Sequence, residues 1–190
     1  MLKTLRTRLK GFARDTEGNM SLEAAIWLPL ILVVLTSTFA LHDAFRHKSL
    51  NTKAAFTISD AISRETDPLD DAYIDGMMDL LEYLTRSEGP YSLRVTLVRY
   101  DADDGAYEAV WSQARGGFEA LEASSANDWA SKLPTLLHNE RVIVVETETD
   151  YQPPFPVQNL DTSGLFYNFV FTRPRFAPQI VWDDGTAAGA

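Results

Sequence analysis

The chain has 190 residues, 45% apolar and 23% charged, with a formal net charge of −10. That length allows one ordinary globular domain with an appendage, and the absence of cysteine excludes a disulfide framework, a thiolate metal site, an iron–sulfur cluster and a cysteine nucleophile. An isoelectric point near 4.7 argues against broad nucleic-acid binding, which runs on Lys and Arg against phosphate.

Charge is distributed unevenly along the chain. Residues 1–18 carry Lys3, Arg6, Arg8, Lys10 and Arg14 against Asp15 and Glu17, whereas from Asp43 onward 12 Lys and Arg face 24 Asp and Glu. Between the basic head and the acidic body, residues 24–42 carry no formal charge, and 24–41 form an apolar run. Eighteen helical residues reach roughly 27 Å, enough for the hydrocarbon core of a bilayer. Three readings compete. A buried core helix would normally show a polar face. A cleaved secretory signal has a shorter apolar core and a small-x-small cleavage site, for which Ser37-Thr38-Phe39-Ala40 is a poor candidate. The retained transmembrane helix is favoured, with Pro29 near its start, where a kink costs fewest hydrogen bonds. The basic flank then stays cytoplasmic and the acidic body is exported.

A specific motif precedes the apolar run. Gly18 closes the basic leader, Glu23 follows five positions later at the edge of the helix, and Leu28-Pro29 lies inside it. With Asp15, this run resembles the processing site of type IV prepilins. More closely, it is similar to the TadE/TadG-like pseudopilins of the tight-adherence (Flp) pilus system. The resemblance implies cleavage by a prepilin peptidase between Gly18 and Asn19, a mature chain whose fifth residue is Glu23, and docking of subunits through Glu23. Independently of family, that cut removes the five basic residues and creates an ammonium at Asn19, one helical turn from the Glu23 carboxylate. A plain turn at Gly18 and an interfacial Glu23 are the simpler alternative. Ala24 departs from the Tyr that major Flp pilins carry after this Glu, and the chain is longer than those pilins. Both differences point to an accessory, minor pseudopilin. The large von Willebrand-type domain of bigger TadG proteins is not expected in the remaining length.

In the body, Leu50, Ala54, Ile58, Ala61 and Ile62 form a helical stripe with Phe56 off it, so the helix is expected to continue until Thr66-Asp67-Pro68. Asn51, Lys53, Ser59 and Ser63 are assigned to other, polar faces. A second amphipathic helix carries Tyr73, Met77, Leu80, Leu81 and Leu84 inward and Asp70, Asp75, Asp79 and Glu82 outward, and Glu88-Gly89-Pro90 stops it. Both stripes read as core packing in preference to a partner-binding coiled coil. A hairpin follows, with Leu93, Val95 and Leu97 on one strand, a turn at Asp101–Gly105, and Tyr107, Ala109 and Trp111 on the return. A short helix is expected around Ala126–Leu137, broken at Pro134. Residues Arg141–Tyr151, apolar on both faces, predict a central strand under a helix. Gln152–Pro156 reads as a rigid exposed loop, Leu165–Thr172 as a strand closed by Arg173-Pro174-Arg175, Ile180–Trp182 as a short edge strand, and the tail from Asp183 as frayed. The hairpin, the later strand and Pro174-Arg175 also look like TadE-like proteins, more loosely than the N-terminus does.

No catalytic signature is present. His42 and His47 sit beside the apolar run and His138 reads as isolated in a loop, with no hydrolase, zincin or phosphate-loop motif. The Asp101/Asp103/Asp104 cluster lacks calcium-loop spacing and reads as a solvated turn. The expectation is a non-enzyme with no catalytic residue, cofactor or metal. Its fold is α+β: a long N-terminal transmembrane helix packed on a small antiparallel sheet, in a pilin-like plan. Residues 1–18 form the leader, 19–43 the transmembrane helix and 44–190 a periplasmic domain of a bacterial inner-membrane protein. Expected partners are a prepilin peptidase, other pilins or pseudopilins and inner-membrane lipid, and no nucleic acid. The alternative is an uncleaved single-pass interaction or scaffold module of a secretion or sensing complex.

Overall fold

No glycine or proline interrupts the sequence between Pro29 and Pro68, and the backbone uses that freedom to build one helix. In the computed structural model, which describes Gly11 and residues 19–87, 89–151 and 164–185, helix α1 runs Asn19–Ser63 without a break. At 1.5 Å per residue its 45 residues reach about 68 Å. Residues 20–39 are exposed, with Leu28 and Val33 more than 60% accessible, and burial begins at Ala40. The helix is long and apolar enough to cross a membrane. The hydroxyls of Thr36 and Thr38 donate to the carbonyls of Leu32 and Val34 at 2.9 and 2.8 Å, so these two side chains are satisfied by the helix itself.

The second half of α1 is a core element. Ala54, Ile58 and Ile62 are fully buried, as their spacing predicts. Asn51, Ser59 and Ser63 are buried as well, which corrects their assignment to polar faces. The sheet and a second helix cover two adjacent sides of α1, so the buried arc is wider than one stripe. The helix ends at Ser63, before Thr66-Asp67-Pro68. Arg64 and Glu65 donate to carbonyls three residues back, and the Ser63 hydroxyl donates to Asp60 O.

Helix α2 (Asp71–Thr85) starts at Asp70, whose side chain accepts the Tyr73 N–H at 2.8 Å. Ile74, Leu81 and Thr85 are its buried centre, with Tyr73, Met77, Leu80 and Leu84 partly buried around them. Four strands follow: β1 Tyr91–Asp101, β2 Ala106–Arg115, β3 Arg141–Thr149 and β4 Asn168–Thr172. The sheet is antiparallel throughout, in the order β2-β1-β3-β4, so β3 is central as expected. Leu93, Val95, Leu97, Ile143 and Val145 face α1 and α2, while Val142, Val144 and, beyond a bulge at Leu97/Val98, Val98 face the other way. That second face is covered by a 3-10 helix, Ala123–Trp129, and the segment carrying Leu133 and Leu136. The helix expected at Ala126–Leu137 is thus shorter, earlier and of the tighter kind. Trp129 fixes it by packing edge-on to Phe169 at 5.2 Å.

The strand expected from Leu165 starts at Asn168, and residues 180–182 form no edge strand. They make a single parallel bridge, Leu69 to Trp182, that straps the C-terminal segment across the helix-side core. The Trp111 indole N–H donates to Ile180 O at 2.9 Å within this strap. Arg175 N–H donates to Ser63 O at 2.8 Å, and its guanidinium pairs with Asp60 at 3.0 Å. Strand β4 therefore climbs alongside α1 and β3 descends it, bringing Tyr151 back to the point where the apolar stretch ends. The loop expected at Gln152–Pro156 lies outside the described residues.

Candidate functional site: the N-terminal helix and its collar

Asn19 is the first residue of α1 and Glu23 lies in its second turn, exposed and with no partner among the described residues. Gly18 and, apart from Gly11, the rest of the leader lie outside the described residues. Pro29 sits inside the helix, leaving the Ala25 carbonyl without its usual donor. Ten Leu, Ile, Val and Phe side chains occupy positions 24–41. On an insertion scale each contributes about 0.3–0.6 kcal/mol, roughly 3–6 kcal/mol together. A carboxylate costs about 2.5–3.5 kcal/mol at the bilayer centre and less at its edge. The apolar stretch therefore tolerates Glu23 near one end but gains from any partner that neutralises it.

At the other end a polar collar joins helix to sheet. The Tyr151 hydroxyl donates to Asp43 Oδ2 at 2.9 Å, and His47 Nε2 lies 3.9 Å from the same oxygen. The His47 and Tyr151 rings are 5.0 Å apart, and Phe166 packs 5.0 Å beyond Tyr151. Burial, with the bond to Asp43 and its charge, pushes the Tyr151 hydroxyl up to about 12. One turn further, Lys48 Nζ donates to Tyr167 O and Asn168 Oδ1, both at 2.9 Å, and burial lowers its pKa. Asn168 in turn donates to Thr147 Oγ1 at 3.2 Å, completing a latch from α1 through β4 to β3. Little in the sequence announces this collar. Its one available signal was Asp43 and His47 at helical i, i+4 spacing just past the apolar run.

Two other constellations bear on chemistry. On the sheet face away from α1, Arg94 and Glu146 are direct cross-strand neighbours on β1 and β3. Arg94 donates to both oxygens of Glu146, at 2.5 and 2.8 Å, and the Tyr167 hydroxyl adds a third bond at 2.6 Å. Glu146 is 2% exposed, and Arg94 stacks between Phe118 and Trp129 at 5.2 and 5.6 Å. A carboxylate so fully engaged is a structural tie. At the hairpin tip, His138 is not isolated: its Nδ1 accepts the Ala102 N–H at 3.1 Å and lies 3.7 Å from Asp101. Asp101, Asp103 and His138 converge closely enough to hold a cation. The converging atoms already serve the turn, however, with Asp101 Oδ1 accepting the Asp103 N–H at 3.0 Å.

No protein-family model, curated protein or solved structure matches this chain. What distinguishes this molecule from an ordinary small α+β domain is α1, an apolar rod with a carboxylate at one end that has no partner among the described residues, and a sheet latched to the other.

Proposed function

We propose that the chain is an accessory pseudopilin of a tight-adherence type IV pilus. In this reading it is inserted in the bacterial inner membrane with its basic leader cytoplasmic and its sheet domain periplasmic. The observation that carries the proposal is the unbroken helix from Asn19 to Ser63, with Glu23 in its second turn without a partner among the described residues and the antiparallel sheet on its far half. A prepilin peptidase cuts between Gly18 and Asn19. The cut removes the cytoplasmic charge that anchors the leader and leaves an ammonium beside Glu23. In a low-dielectric layer the Glu23 carboxylate gains from an incoming ammonium what it cannot gain from solvent, which favours docking of other pilins.

Mass spectrometry of the N-terminus tests this directly. A mature chain beginning at Asn19 is expected when the peptidase is present, and Gly18→Glu is expected to abolish the cut, since a side chain then stands where the bare backbone enters the protease. Glu23→Ala is expected to be cut and inserted normally but to co-purify poorly with other pilins. An intact basic head on the functional protein would overturn the proposal in favour of an uncleaved single-pass scaffold.

A further inference from the structure

The continuity of α1 fixes how high each part of the sheet domain stands above a bilayer. The hydrocarbon core is about 30 Å thick and the whole bilayer about 40–45 Å, leaving an interfacial layer of roughly 5–7.5 Å on each side. If the apolar run ends at Leu41, Phe45 stands about 6 Å beyond it along the helix and Arg46 about 7.5 Å. Both lie within reach of that layer. Tyr151 is tied to Asp43 and His47, and Phe166 packs on Tyr151, so the lower rim of the sheet stands at the same height. Leu165, next in the chain to Phe166, is 47% exposed there, and Phe45 is 72% exposed on α1.

We infer that this rim, formed by Phe45, Arg46 and Leu165, is a lipid-contacting surface that seats the sheet domain in the headgroup layer. This rests on the proposal that α1 crosses a bilayer. The chemistry fits one partner, a phospholipid surface. Large apolar side chains beside a cation match the boundary between acyl chains and phosphates. Arg46 is exposed, with no partner among the described residues. Within that layer α1 holds Arg46 against Asp43 alone, in a body that is otherwise strongly acidic. Asp43, the one carboxylate of α1 at this height, is shielded by the Tyr151 hydroxyl. The rim thereby limits the domain's freedom to swing about α1.

The absence of native cysteine makes the test clean. Single-cysteine variants of the full chain at Ile31, Leu165 and Leu137 are labelled with an environment-sensitive fluorophore. They are reconstituted in nanodiscs of phosphatidylethanolamine and phosphatidylglycerol carrying nitroxide lipids of known depth. Leu137 is 78% exposed and lies at the opposite end of β3 from Tyr151. The Ile31 label is expected to be quenched by mid-chain nitroxides and the Leu165 label by shallow ones, several-fold more strongly than the Leu137 label. Ile31 quenched with Leu165 indistinguishable from Leu137 would overturn the rim while leaving the bilayer-crossing helix intact. An unquenched Ile31 label would remove the bilayer-crossing reading and this inference with it.

Discussion

At the scale of single residues, the charges inside the sheet domain set its sharpest sensitivities. Glu146 is buried with Arg94 and Tyr167 as its donors, so Arg94→Ala strands a carboxylate away from water. The expected cost is about 3–5 kcal/mol, read from chemical denaturation of the detergent-solubilised chain by tryptophan fluorescence. Replacing Arg94 and Glu146 together by apolar residues of similar volume is expected to cost far less, because no unpaired charge remains. Tyr151 gives a pH signature. Its hydroxyl stays protonated in the folded state up to about 12, against an ordinary value of 10. The stabilisation is therefore complete below pH 10 and is lost as pH rises towards 12, since the unfolded chain releases the proton first. Tyr151→Phe is expected to make the alkaline fall in stability shallower over pH 10–12, and at neutral pH to cost about 1.5–3 kcal/mol for the lost bond to Asp43.

Elements show which parts of the sequence speak for themselves. Helix α2 is legible throughout: Asp70 caps it, and Asp70→Ala is expected to cost about 1 kcal/mol. Gly76 sits in its exposed middle with open space where a Cβ would stand, so Gly76→Ala is expected to stabilise the chain by about 0.4–1 kcal/mol, visible as a raised melting temperature. The hairpin and the central position of β3 are legible for the same reason, a local alternation that matches the burial observed. Errors arise where a distant element decides. Asn51 and Ser59 look like surface residues of α1, yet β3 and β4 close over that side. The segment after Arg115 is Ala-rich and locally helical in character, but it is held as a 3-10 turn by Trp129 against Phe169 and by the Tyr107 hydroxyl bound to Pro134 O. The Arg94–Glu146 tie had a sequence signal, since Val142 and Val144 are apolar on the face opposite Ile143 and Val145, implying a second covered surface. The collar had almost none, because its partners lie more than a hundred residues apart in the chain.

For the whole molecule, one rigid rod links the residue proposed to dock subunits with the domain that would be displayed. Glu23 and the sheet share α1, so their relative azimuth is set by helical phase alone, at 100° per residue. Residues inserted between Leu41 and His42 act as a dial. One residue turns the sheet domain by about 100° relative to Glu23, two by about 200°, four by only about 40°, and seven bring it back to within about 20°. In the proposed assembly, co-purification with partner pilins is expected to follow this rotation. It should fail for one or two inserted residues and partly recover at four, although the longer insertion lifts the domain further. A flexible joint would give a monotonic loss with length. A periodic response would mean that the molecule is keyed, so that the face it shows to its neighbours outside the bilayer is chosen by the angle at which it is gripped within.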